Sequence, residues 1–221
     1  MLRSRFVLIS TLCLVLFATV LITVPAQALG PRAVRLMLGG GWMKQSYEWE
    51  DMELFDPDRK FWMTGGVSLE VELFGDSPLD LELGAMYVQK GMQVEVNKYN
   101  DVGTYIGKVT VDPNARYLSI PVLLRYAFGT GAISPYIVAG PTLEIMLSQD
   151  AGADFDEVFD EMDTANLGVQ LGVGVELGNI GASLRYIRDL NTPFNKIEDA
   201  TLESVVNDGI LALVTLKLWG R

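Results

Sequence analysis

After its first 28 residues the chain is built from alternating segments. In YLSIPVLLRYAF, residues 117–128, every even position is apolar: Leu118, Ile120, Val122, Leu124, Tyr126 and Phe128. The odd positions mix Tyr117, Ser119, Pro121 and Arg125 with Leu123 and Ala127. A period of two puts successive side chains on opposite faces of a strand. Eight such segments can be read, at about 33–45, 61–73, 79–95, 115–128, 135–148, 165–177, 181–190 and 209–219. Each reaches or exceeds the roughly 9–11 residues a tilted strand needs to cross a bilayer. No stretch after residue 28 holds the roughly 18 apolar residues of a helical span. A mature chain that entered a membrane would therefore do so as a closed barrel, the remaining way to pair every backbone amide in lipid.

The faces differ consistently. Leu167, Val169, Leu171, Val173 and Val175 oppose Asn166, Gly168, Gln170, Gly172, Gly174 and Glu176. Met63, Val67, Leu69, Val71 and Leu73 oppose Thr64, Ser68, Glu70 and Glu72. Leu79, Leu81, Leu83, Ala85 and Tyr87 oppose Asp80 and Glu82, and Ile210, Ala212, Val214, Leu216 and Leu218 oppose Thr215 and Lys217. A soluble barrel turns the apolar face inward and a membrane barrel turns it outward. Alternation alone fits both.

Three further features favour the membrane form. The first is the order of the connections. Those at 74–78, 129–134 and 178–180 are short and rich in Gly, Pro, Ser, Asp and Asn. Those at about 46–60, 96–114, 149–164 and 191–208 are long. Short and long alternate along the chain, as in an up-and-down barrel with periplasmic turns and outer loops. The second is the N-terminus. MLRSR precedes an apolar run over 6–24, then Pro25 and Ala26-Gln27-Ala28. This is the pattern of a cleavable signal peptide over 1–28, with cleavage expected after Ala28 and a barrel domain over 29–221. An uncleaved anchor is the other reading of that run. The third is the placing of aromatics: Trp42, Phe61, Trp62 and Tyr117 toward the long loops, and Phe74, Tyr126, Phe128, Tyr136 and Trp219 toward the turns. Two aromatic girdles are expected at the two lipid–water boundaries.

With lipid outside, the polar faces point inward. They carry Arg35, Glu70, Glu72, Asp80, Glu82, Lys90, Arg125, Glu144, Glu176, Arg185, Asp189 and Lys217. Eight strands enclose a bore that side chains can fill, and buried charges have to be paired. The set is expected to form an interior salt-bridge network, with a narrow polar passage as the alternative. Pro121 and Pro141 cannot donate ladder hydrogen bonds, so each is expected at a bulge or a local break.

Some chemistry is excluded. The chain has no histidine, and its one cysteine, Cys13, lies in the N-terminal apolar run. A Ser-His-Asp triad, a thiol nucleophile and a zinc site in the mature chain are all ruled out or disfavoured. No enzyme activity and no cofactor are expected. Gly172, Gly174 and Gly178 imitate a dinucleotide loop, but the third glycine is one place late and a strand follows. They are expected to relieve crowding inside the barrel. Without Arg3 and Arg5 the chain has 15 basic and 28 acidic residues, a net charge of −13, which disfavours nucleic acid as a partner. The loop QDAGADFDEVFDEMDT holds Asp150, Asp154, Asp156, Glu157, Asp160, Glu161 and Asp163 and no base. Phe155, Val158, Phe159 and Met162 recur in it at helical spacing. It reads as a solvated acidic loop or as a carboxylate cluster for hard divalent cations. It lacks the glycine and ligand spacing of an EF-hand.

YLSIPVLLRYAFG, SPYIVAGPTLEI, GVQLGVGVELG and SLRYIRDL resemble the centre of the PorT-type outer-membrane β-barrel family. The resemblance spans about residues 30–221 and is strongest over 117–146 and 165–190. It implies an eight-stranded barrel in the outer membrane of a Gram-negative bacterium. The secretion role of the named member is not carried over. Barrels of this kind usually finish on an aromatic residue, whereas here Trp219 is followed by Gly220 and Arg221.

The expectation is thus an all-β protein: an eight-stranded antiparallel up-and-down transmembrane barrel with a structural or surface-interaction role. Its partners would be membrane lipid, lipopolysaccharide and divalent cations. A soluble periplasmic barrel for an apolar ligand, and a narrow channel or secretion accessory, are the alternatives.

Overall fold

The computed structural model describes residues 30–49, 58–74, 77–99, 104–111, 114–129, 131–150, 165–190 and 202–220. Among them are nine strands: β1 (Gly30–Trp49), β2 (Asp58–Glu72), β3 (Leu79–Tyr99), β4 (Tyr105–Val111), β5 (Asn114–Ala127), β6 (Ile133–Asp150), β7 (Ala165–Leu177), β8 (Ile180–Asp189) and β9 (Leu202–Gly220). Eight form the wall. Neighbours pair antiparallel in the order β1, β2, β3, β5, β6, β7, β8, β9, and β9 returns to β1. Closure leaves no edge whose amides would face lipid unpaired. Among the described residues no helix is long and apolar enough to cross a membrane.

The eight expected segments are the eight wall strands, but several run further toward the loop side. β9 begins at Leu202 rather than near 209, and β1 continues to Trp49. The connection expected over 96–114 is not all loop. It contains β4, which pairs with Val94–Tyr99 of β3. β3 and β4 thus extend the sheet beyond the barrel rim as a hairpin.

At the other end the connections are short. Gly178 has φ +63°, a left-handed conformation suited to the two-residue turn between paired Leu177 and Ile180. The Ser77 amide donates to Phe74 O at 2.8 Å and closes the β2–β3 turn.

The prolines break the ladder without a bulge. Pairing of β3 with β5 is interrupted between Leu83↔Val122 and Met86↔Ser119, and that of β5 with β6 between Pro121↔Thr142 and Leu124↔Ala139. The register is unchanged across both gaps. Pro121 lies in the gap between β3 and β5 and Pro141 in the gap between β5 and β6, and neither inserts a residue.

Orientation is decided by exposure. Leu38, Met63, Val67, Leu171, Val173, Leu184, Val214 and Leu218 are all exposed on the outer wall, Leu171 at 61%. The inner residues of the same strands include Arg35, Glu70, Gln170, Arg185 and Thr215, all buried. In water each exposed Leu or Val would forgo roughly 1.5–3 kcal/mol of burial. In hydrocarbon the same wall is matched to its solvent. One outer patch is tighter: Leu73 and Leu81 are buried among Val71, Leu79, Leu83, Val122 and Leu124.

The bore is layered. Along β3 the inward residues run Asp80, Glu82, Gly84, Met86, Val88, Lys90, and along β8 they run Gly181, Ser183, Arg185, Ile187, Asp189. Charges lie toward the ends and apolar groups between them. Met37, Met43, Met86, Val88, Ile187, Leu211 and Leu213 form a buried cluster in the middle. The alternation pattern did not call for it, because these residues occupy the phase read as polar. Methionine suits the place, since an unbranched chain fills irregular gaps.

Candidate functional site

The turn-end layer begins with a problem. Glu70 lies directly across from Glu82, and Glu72 from Asp80. Like charges opposite one another destabilise a sheet unless cations intervene. The cations come from three other strands. Arg35 on β1 donates to Glu70 at 2.6 and 3.0 Å and reaches Glu176 at 2.7 Å. Arg125 on β5 bonds Glu176 at 2.5 Å and lies 3.4 Å from Glu70 and 3.6 Å from Asp80. Arg185 on β8 donates to Glu82 at 2.8 Å.

A fourth cation closes the layer. Arg32 Nη1 meets both oxygens of Asp80, at 2.9 and 3.0 Å. The alternation reading missed it because its phase is wrong. The register with β2 shifts between Pro31 and Ala33, so Arg32 is the extra residue of a bulge. A bulge re-aims one side chain, and here it sends a guanidinium to the rim. Within this layer the guanidiniums of Arg32, Arg35, Arg125 and Arg185 face the carboxylates of Glu70, Asp80, Glu82 and Glu176.

Lys217 sits apart from the network, whereas Glu72 lies within electrostatic reach of Arg32. Lys217 is half-buried, and its cross-strand neighbour is Arg35, another cation. Among the described residues Lys217 makes no ion pair. Glu72 is half-buried at the end of β2.

Two tyrosines expected in the girdles are instead inside. Tyr136 is 3% exposed, and the Arg125 guanidinium lies 4.2 Å from its ring centroid. Tyr117 is 2% exposed, with Lys90 Nζ 5.3 Å from its centroid. Both rings offer π-faces to desolvated cations. Trp62 likewise falls on the inner phase. Trp42, Phe61, Phe74, Tyr126, Phe128 and Trp219 remain exposed outside. Trp42 stacks tilted on Phe61 at 5.1 Å, and Tyr126 meets Phe128 edge-on at 5.1 Å.

The glycines of β7 make room for this layer. A Cβ on Gly172 would come within 2.8 Å of Arg185 Cγ, and one on Gly174 within 2.3 Å of the Tyr136 ring. Arg185 and Tyr136 can lean over β7 because the residues paired with them on that strand, Gly172 and Gly174, have no side chains.

The loop-end layer is smaller. Lys90 Nζ donates to Glu144 and, at 2.6 Å, to Asp189. Asn207 Nδ2 donates to the other Asp189 oxygen at 2.7 Å. All four side chains are buried. The structure thus separates the charged residues into two layers, with the methionine-rich cluster between them.

Asp154, Asp156, Glu157, Asp160, Glu161 and Asp163 lie outside the described residues, as do residues 1–28 of the expected signal peptide. Asp150 ends β6. Among the described residues no three Asp, Glu, Cys or His side chains are grouped to hold a metal.

A closed barrel with an apolar outer wall and ionic layers within defines a class, the transmembrane β-barrels. Residues 52–195 match the outer membrane protein beta-barrel domain family, and the chain belongs to that family. The protein is therefore an outer-membrane barrel, and the alternative of a soluble periplasmic barrel is set aside. Solved structures with similar folds include Neisserial surface protein A, at 18% identity over 86% of this chain and 99% of that one, TM-score 0.47. Ail, the attachment invasion locus protein of Yersinia pestis, shares 10% identity over 86% and 100%, TM-score 0.39. OprG from Pseudomonas aeruginosa shares 13% over 85% and 94%, TM-score 0.34. No curated protein matches the sequence.

Proposed function

We propose that this protein works at the cell surface through its loop-end face, with the barrel as a sealed anchor. The observation that carries the reading is the filled bore. Ion pairs occupy the turn end, a methionine-rich cluster the middle, and the Lys90 triad the loop end. A bore closed at three depths is a poor conduit, so recognition falls to what projects beyond the rim. No catalytic role is assigned, since the chain lacks histidine and its paired carboxylates are engaged by arginines.

The loop carrying Asp150, Asp154, Asp156, Glu157, Asp160, Glu161 and Asp163 is the proposed contact. Clustered carboxylates take hard divalent cations, and such ions can bridge them to the anionic sugars and phosphates of lipopolysaccharide. Residues 1–28 are proposed to direct export. Kinship with the PorT-type barrels rests on the sequence resemblance over 117–146 and 165–190.

The test uses the full mature chain folded into detergent micelles. Lipopolysaccharide binding is measured by calorimetry with magnesium, with calcium and with chelator. Binding that needs the divalent ion, and falls at least tenfold when the seven loop acids become amides, is the expected result. Binding indifferent to chelator and to those substitutions would remove the reading. Ohmic single-channel conductance of the wild-type chain in planar bilayers would favour the narrow-channel alternative instead.

A further inference from the structure

The loop-end layer leaves groups that the anchor role does not use. Strand pairing sets them in two rows on the inner wall. One row is Ser119 on β5, Glu144 on β6 and Asn166 on β7, each directly opposite the next. The other is Thr142 on β6, Gly168 on β7 and Asp189 on β8. Directly opposed positions hold their Cβ atoms about 5 Å apart. Gly168 is the residue without a side chain among these six, and a Cβ there would lie 3.6 Å from Asp189 Oδ1.

The oxygens around Gly168 are unsatisfied. Ser119 Oγ, Thr142 Oγ1, Glu144 Oε1 and both amide atoms of Asn166 have no hydrogen-bond partner, and Ser119, Thr142, Glu144 and Asn166 are each 0% exposed. Gln170, the next inward residue on β7, is 2% exposed with both amide atoms unpartnered. Buried polar atoms are nearly always paired. So many orphans converging from three adjacent strands mark a built site rather than scattered loss. The charge count points the same way. Among the described residues of this layer one cation, Lys90, faces two carboxyls, Glu144 and Asp189. Both Asp189 oxygens are engaged, by Lys90 and by Asn207. Glu144 Oε1 is the carboxyl oxygen of the pair left without a partner, beside the neutral oxygens.

We propose that this cluster of unpartnered oxygens binds one small monovalent cation of the sodium class. Its ligands are Glu144 Oε1, Thr142 Oγ1, Ser119 Oγ and Asn166 Oδ1, and it lies over Gly168. One carboxylate oxygen with hydroxyl and amide oxygens is a hard-oxygen donor set. One monovalent cation beside Lys90 matches the two carboxyls of the described residues once both are ionised, in place of a proton the pair would otherwise share, where a divalent ion would overshoot. The cluster is independent of what the outer loops bind. Its role is to tie β5, β6 and β7 together at the loop end, where β6 and β7 lead into the acidic loop.

The experiment is thermal unfolding of the full mature chain, folded in zwitterionic micelles with chelator present. Sodium chloride replaces choline chloride at constant ionic strength. A ligand bound only by the folded state raises the midpoint saturably; a rise of roughly 5 °C is expected near saturation. Line broadening of the sodium-23 resonance should follow the same titration. Glu144→Gln should abolish both responses and Thr142→Val should weaken the sodium affinity about tenfold, with heat-modifiable gel mobility showing that each variant is folded. Should Glu144→Gln fail to fold, Thr142→Val, which keeps charge and shape, decides alone. Equal midpoints in sodium and choline would overturn the proposal. So would a sodium response undiminished in the variants, which would place the ion elsewhere.

Discussion

At the scale of single residues, the most consequential side chain is Arg125. It lies within ion-pair reach of Glu70, Asp80 and Glu176, and it also covers Tyr136. Taking one partner from a buried ion pair leaves the others unpaired at a cost of about 3–5 kcal/mol. Arg125→Leu is expected to lose about that much in urea unfolding of the micelle-folded barrel. Lys217→Ala is the contrast. Lys217 faces a cation, Arg35, and is half-buried, so its removal is expected to change stability by less than about 1 kcal/mol. The inward phase of both was readable from alternation. Their difference was not, because phase says which way a residue points and not what lies across the bore. Arg32 shows the other limit. One inserted residue reverses the phase locally, and no feature of PRAVRL announces the bulge. Tyr117 and Tyr136 were misplaced for a related reason: a tyrosine near a strand end suits a lipid boundary and a cation equally well.

Among the elements, β7 carries the clearest contrast between its two faces. Leu167, Leu171 and Val173 are exposed to lipid, while Asn166, Gln170 and Gly172 are buried. Leu171→Arg places a guanidinium near mid-strand in hydrocarbon and is expected to cost about 2–4 kcal/mol. Leu177→Arg, at the turn end of the same face, is expected to cost only about 0–1 kcal/mol. Urea midpoints of the two variants in bilayers would show the gradient, and equal costs would contradict the assigned depth. β4 is the element that alternation did not deliver. Tyr105–Val111 pairs only with the far end of β3 among the described residues. With no wall position to fill, it has neither a lipid face nor a bore face to pattern it. The prolines of β5 and β6 behave similarly. Their missing donors were legible, but it was the neighbouring register that made the outcome a gap rather than a bulge.

For the whole molecule, closure is the governing fact. A barrel held by eight antiparallel pairings should resist detergent until heated, so the mature chain is expected to migrate faster unheated than boiled. An unheated band at the denatured position would contradict a closed barrel. Sequence by itself determined the fold class, the eight wall segments and, away from the bulge at Arg32, which residues of a strand share a face. Lipid on one side and a narrow bore on the other force a period of two that survives in the text of the chain. Tertiary structure alone decided which inward residues meet, since partners as distant as Glu82 and Arg185 come together only across the closed bore. It also decided that the bore holds an apolar middle and a cluster of unsatisfied oxygens beside Gly168. Those depend on stagger between strands, which closure sets and no single strand records.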